Sequence, residues 1–100
     1  MNQIKDWDAQ YVAHTYARFN VTFVRGEGAF LYDDAGKKYT DMGSGIAVSV
    51  LGYGNEAWEK AVCDQAKALS HVSNLYYTQP QATLAKLLCE RSGMKRAFYG

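Results

Sequence analysis

The sequence predicts a mixed α/β segment made of a short antiparallel meander, a glycine loop, two amphipathic helices and a closing strand. Three observations lead there. Short runs rich in β-branched and aromatic residues, punctuated by glycine and aspartate turns, fill residues 20–41. Apolar residues then recur at helical spacing, first from Trp58 to Val72 and again from Leu84 to Leu88. Between these regions lies the uncharged, glycine-rich stretch Gly43–Gly54, which fits neither period.

Taken in order, Asp6 and Asp8 are placed to cap a short helix running through Tyr11 and Val12. Asn20–Arg25 reads as a strand, because β-branched and aromatic side chains suit a pleated surface. Gly26-Glu27-Gly28 turns the chain into a second strand, Ala29–Tyr32. Asp33-Asp34-Ala35-Gly36 turns it again into a third, Lys38–Asp41. Gly43–Gly54 reads as a loop with a short apolar core, its glycines allowing unusual backbone angles and close approach. Asn55 is the expected cap of the first long helix, with Glu56 and Glu59 in the first turn, where the helix dipole favours anions. Trp58, Val62, Leu69 and Val72 form its apolar face, Ala61 and Ala66 fill that face, and Lys67 and His71 fall in the last turn. Ser73–Thr78 leads to a second helix opened by Pro80, striped by Leu84, Leu87 and Leu88, and closed by Gly93. Met94–Tyr99 reads as a strand.

Composition narrows the function classes. Hydrophobic residues make up 48% and charged residues 21% of the 100, ordinary for a globular protein. Eleven basic residues face ten acidic ones without a block of either sign, so there is no footprint for nucleic acid or an anionic membrane. The longest uncharged run is too short to span a bilayer, and the polar N-terminus has no apolar signal core, so a cytoplasmic protein is expected. Cys63 and Cys89, both in helical patterns, are expected to be reduced and buried. Asn20-Val21-Thr22 matches a glycosylation sequon by chance in that setting.

No local motif completes a catalytic set. Gly43-x-Gly45 and Gly52-x-Gly54 lack the lysine and hydroxyl of a phosphate loop and the strand–glycine–helix order of a dinucleotide fingerprint. His14 and His71 have no ligand partners at metal spacing, so no metal site is expected. Ser44, Ser49 and Ser70 lack a nucleophile elbow. Asp33-Asp34 belongs to a turn. The Tyr76-Tyr77 pair suits packing or a subunit interface.

Several strings in fixed order carry more information than any one of them. They are Thr15-Tyr16-Ala17-Arg18-Phe19, Arg25-Gly26-Glu27-Gly28-Ala29, Leu31-Tyr32-Asp33, Gly36-Lys37-Lys38-Tyr39-Thr40-Asp41, Ser44-Gly45-Ile46-Ala47-Val48, Leu51-Gly52 and His71-Val72-Ser73-Asn74-Leu75-Tyr76. Together they resemble the opening of class III aminotransferases, pyridoxal 5'-phosphate (PLP) enzymes of fold type I. The Ser-Gly-Ile-Ala-Val and His-Val-Ser-Asn-Leu-Tyr strings favour the acetylornithine branch. One departure stands out: where the family usually has Gly-His-x-His-Pro, this chain has Gly52-Tyr53-Gly54-Asn55-Glu56, though Asn55 still supplies a cap.

The resemblance implies an N-terminal part of a fold type I transferase. Residues 1–93 would be the N-terminal arm and the first part of the small domain, leading into helices, and residues 94–100 the start of the large PLP-binding domain. It implies transamination from N2-acetylornithine to 2-oxoglutarate in arginine biosynthesis by a cytoplasmic homodimer. Ornithine, succinylornithine or GABA are the alternative donors, and a self-standing, non-enzymatic interaction module is the alternative of another class. Tyr16 and Ile46 match positions at the substrate pocket, and Asn74 matches a connection near the cofactor site of the partner subunit. The Schiff-base lysine, the pyridinium aspartate and the phosphate loop are all expected beyond residue 100, so no catalytic residue falls among these.

Overall fold

A computed structural model describes residues 3–100. It contains α1 (Gln3–Tyr11), β1 (Phe23–Glu27), β2 (Phe30–Asp33), β3 (Lys38–Thr40), α2 (Ser44–Ala47), α3 (Glu56–Ala68) and α4 (Gln79–Ser92). These form two compact units, one ending at Val62 and the other running Cys63–Gly100. That boundary differs from the one at 93/94, which the resemblance places between parts of a longer chain.

In the first unit the strands form the expected antiparallel meander in the order β1-β2-β3. Glu27 pairs with Phe30, so the hairpin turn is Gly28-Ala29, and Gly26 and Glu27 lie inside β1 rather than in the turn. Gly28 supplies the positive φ (57°) that a two-residue hairpin turn demands. The register slips between Phe23 and Arg25, leaving Val24 as a bulge, and Asn20–Thr22 fall outside the strand predicted to include them. One face of the sheet carries Phe23 edge-on to Tyr39, with ring centres 5.3 Å apart. On the other, Arg25 lies 3.7 Å above the Tyr32 ring and Lys38 3.7 Å above Phe30. The turn between β2 and β3 is held by Asp33, whose Oδ1 accepts from the N–H groups of Ala35 (3.0 Å) and Lys37 (2.8 Å). Its Oδ2 accepts from the Tyr39 hydroxyl at 2.9 Å.

The caps of α1 differ from expectation. Asp6 and Asp8 lie within the helix, and Asp8 instead pairs with Arg18 at 3.0 Å.

At the start of α3, Asn55 caps as expected, its Oδ1 accepting from the Trp58 N–H at 2.9 Å. The helix ends at Ala68, earlier than the apolar spacing predicted, so Leu69, His71 and Val72 lie beyond it. Local side-chain bonds compete there: the Ser73 N–H donates to the His71 ring at 3.2 Å, and Ser73 adopts a φ of 71°. In the second unit, Pro80 stands in the first turn of α4 and Gly93 ends it with φ 75°, its N–H bonded to the Cys89 carbonyl. Met94–Tyr99 forms no ladder with any described strand; extended backbone becomes a strand only when another pairs with it. Both cysteines are free, but Cys63 is exposed and Cys89 half-buried, not buried as expected.

No described residue is fully buried.

Candidate functional site

The glycine loop holds the most unusual backbone in the chain. α2 is a single left-handed turn: Ser44, Gly45, Ile46 and Ala47 have φ of 49°, 60°, 62° and 60°. The turn is closed by Ala47 N–H to the Gly43 carbonyl (3.0 Å) and Val48 N–H to the Ser44 carbonyl (2.7 Å). Each L-residue in this region costs about 1–2 kcal/mol, and a β-branched one is rarest there, so surrounding contacts must impose the turn.

Asp41 bonds the entry to this turn, and Tyr53 in turn bonds Asp41. Asp41 Oδ1 accepts from the N–H groups of Gly43 (3.0 Å) and Ser44 (2.9 Å), at the entry to α2. Its Oδ2 accepts from the Tyr53 hydroxyl at 2.6 Å. Tyr53 is itself fixed by reciprocal backbone bonds with Gly28, of 2.8 and 2.9 Å. Its ring lies so close over Gly26 that a Cβ there would sit 2.4 Å from the ring. The Tyr53 hydroxyl, followed by the Ser44 N–H, holds the Asp41 carboxyl below its ordinary range, against partial burial. The same bond, with burial, raises Tyr53 above the usual phenol value, while Ser49 pulls slightly the other way. A cleft of about 330 Å³ beside this pair is lined by Ala29, Asp41, Ser44, Ser49 and Tyr53.

These shifts fix a pH window. A carboxylate held low stabilises the fold fully above its ordinary value, and loses this as pH falls through its folded pKa. A phenol held high stabilises fully below its ordinary value, and loses this as pH rises through its folded pKa. The melting-temperature difference between wild type and Tyr53→Phe is therefore expected to be flat between about pH 5 and 9 and to narrow outside that range. A difference independent of pH from 3 to 11, on the order of that whole range, would contradict the pairing.

Gly52 gives a second test. Its φ is 72° and a Cβ would lie 2.7 Å from the Gly28 carbonyl oxygen, a backbone atom with little room to move. Gly52→Ala is expected to cost about 2–4 kcal/mol, combining left-handed strain with overpacking. Gly36→Ala, with φ 81° and open space around it, should cost only the strain, about 1–2 kcal/mol. Denaturant midpoints of the two variants check this; equal losses would contradict it.

The residues singled out from the sequence have different surroundings. Ile46, in the middle of α2, is 94% exposed. Tyr16, 78% exposed, lines a separate cleft of about 490 Å³ with Lys5, His14, Arg18 and Phe19. In the second unit, Asn74 Oδ1 accepts from the Gln81 amide at 3.0 Å, beside a cleft also lined by Tyr77, Phe98 and Tyr99. Sequence reasoning missed the Asp41–Tyr53 pair. The one available signal was Tyr53 itself, standing where a related motif carries histidine. Among the described residues no group of three or more His, Cys, Asp or Glu could hold a metal, and no helix is long and apolar enough to cross a membrane.

The meander, the glycine turn and the two helices define the N-terminal part of a fold type I PLP-dependent aminotransferase. Residues 11–99 match the family model of class-III aminotransferases, and the chain belongs to that family. It is 48% identical over 98 residues, 98% of its length, to the acetylornithine aminotransferase of Haemophilus ducreyi. It is 54% identical over 93 residues to that of Wolinella succinogenes, covering 92% of the chain. It spans 25% and 24% of the lengths of these two relatives. Among solved structures, acetylornithine aminotransferase from Elizabethkingia anophelis matches with a TM-score of 0.85 and 26% identity, over 93% of this chain and 24% of that one. Ornithine δ-aminotransferase from Plasmodium falciparum shares the fold with a TM-score of 0.87 at 24% identity, over 94% of this chain and 25% of that one.

Proposed function

We propose that these residues are the N-terminal part of a longer cytoplasmic aminotransferase, which passes the free amine of N2-acetylornithine to 2-oxoglutarate as a step of arginine biosynthesis. The observation that carries this reading is the 48% identity to an acetylornithine aminotransferase across 98% of the chain. A second reading, ornithine as donor, is supported by the likeness to an ornithine aminotransferase from Plasmodium yoelii, 26% identical with a TM-score of 0.87. A self-standing interaction module is disfavoured because no described residue is buried.

PLP, when bound, supplies an electron sink for the carbanion formed on the amino acid. The residues described here do not by themselves make its site. Lys37 and Lys38 lie over aromatic rings, Lys86 is near Glu90, and Lys5 donates to the Asn20 carbonyl. On this reading the chain contributes the pocket rim through Tyr16 and Ile46. Asn74 contributes to the partner subunit's cofactor site in a homodimer.

The test is a single turnover of the full-length protein. Loaded with PLP and mixed with N2-acetylornithine without an oxo acid, it should lose the cofactor's aldehyde-form absorbance. Light scattering should give the mass of a dimer. Unchanged absorbance would remove the donor, and a fully active monomer would remove the shared site.

A further inference from the structure

We propose that Asp41 and Tyr53 are positioning residues: a clasp that holds the left-handed turn α2 and thereby sets how Ile46 meets the amino donor. The donor part rests on the function proposed above; the clasp itself does not.

The geometry divides the work between the two ends of the loop. One Asp41 oxygen takes the two N–H groups that open α2, and the other takes the hydroxyl of Tyr53, twelve residues further on. Tyr53 is anchored to the β1–β2 hairpin through Gly28, and Asp41 to the same hairpin through its N–H on the Ala29 carbonyl at 2.8 Å. Both arms of the clasp therefore close on one hairpin. Between them, the chain leaves α2 through Val48 and Ser49, whose N–H groups both bond the Ser44 carbonyl, at 2.7 and 2.8 Å. Three of the four residues of α2 are not glycine yet have positive φ. Backbone of this kind persists only where its surroundings over-determine it, and such strain gathers at binding sites. Ile46 stands at the middle of the turn with its side chain outward. Releasing the clasp would let residues 44–47 relax to ordinary φ, which would re-aim Ile46.

Tyr53→Phe in the full-length protein removes only the hydroxyl. Amide exchange of Ala47, Val48 and Ser49 is expected to quicken about tenfold or more, while Tyr32 and Tyr39 in the meander keep their rates. The KM for the donor should rise several-fold with kcat nearly unchanged, because orientation is disturbed and the reacting groups are not. Asp41→Asn replaces one of the two accepting oxygens with an NH2 donor, so either the α2 N–H groups or the Tyr53 hydroxyl loses its acceptor; it should show the same changes, and it decides the matter if Tyr53→Phe does not fold. Unchanged exchange at Ala47–Ser49, or quickening spread evenly through the meander, overturns the clasp. Quickened exchange with an unchanged KM overturns its link to the donor. A wild-type protein inactive with every donor overturns the functional reading and that link together, while exchange still decides the clasp.

Discussion

Residues 1–100 made alone will show no cooperative melt and no borohydride-trappable PLP adduct. No described residue is buried, and large apolar side chains from Ile4 to Tyr99 stand exposed. A small domain has a net stability of only about 5–15 kcal/mol, and apolar side chains left in water add nothing to it. Phe19, Tyr77 and Phe98 stand almost wholly in solvent. β1 and β3 are both edge strands of a three-stranded sheet, open to pairing with other chains. Thermal melting followed by circular dichroism, with PLP present and then borohydride, checks both halves. A sharp, reversible transition with a trapped adduct would contradict them.

Much of this fold was legible because its signals are local. Asn55, Pro80 and Gly93 act within one helical turn of their own positions, and Asp33 makes its turn bonds within four residues. What was not legible depends on distance along the chain or on competition. The hairpin turn moved to Gly28-Ala29 because register is set by cross-strand pairing, which the glycines alone do not specify. The apolar spacing carried the first long helix on to Val72, whereas the helix ends at Ala68 and the Gln65 side-chain amide donates to the Leu69 carbonyl there. Met94–Tyr99 has the composition of a strand but no partner among the described residues. The candidate site was the least legible part. No propensity places Ser44, Ile46 and Ala47 at positive φ; the clasp between Asp41 and Tyr53 does, and it closes over twelve residues. Tyr16, Ile46 and Asn74 came from resemblance, and their pocket roles are proposals.

In the full-length protein, Ile46→Tyr is expected to shift preference from N2-acetylornithine toward free ornithine by about tenfold to a hundredfold. A tyrosine hydroxyl can meet the charged α-amino group that isoleucine leaves unpaired, a difference on the order of 1–3 kcal/mol at a desolvated site. The exchange should be tolerated by the turn, because Ile46 projects outward and a β-branched side chain suits positive φ least. Ratios of kcat/KM on the two donors measure the shift, with the melting temperature as a control. Equal ratios in a stable variant would take Ile46 out of the pocket.

The most direct measurement is the initial rate of glutamate formation by the PLP-loaded full-length protein with 2-oxoglutarate and, in turn, N2-acetylornithine, ornithine, succinylornithine and GABA. The expected result is glutamate from all or some of these, with the highest kcat/KM on N2-acetylornithine. A higher kcat/KM on ornithine, succinylornithine or GABA would contradict the assigned donor, and no glutamate from any of the four would contradict the aminotransferase reading itself.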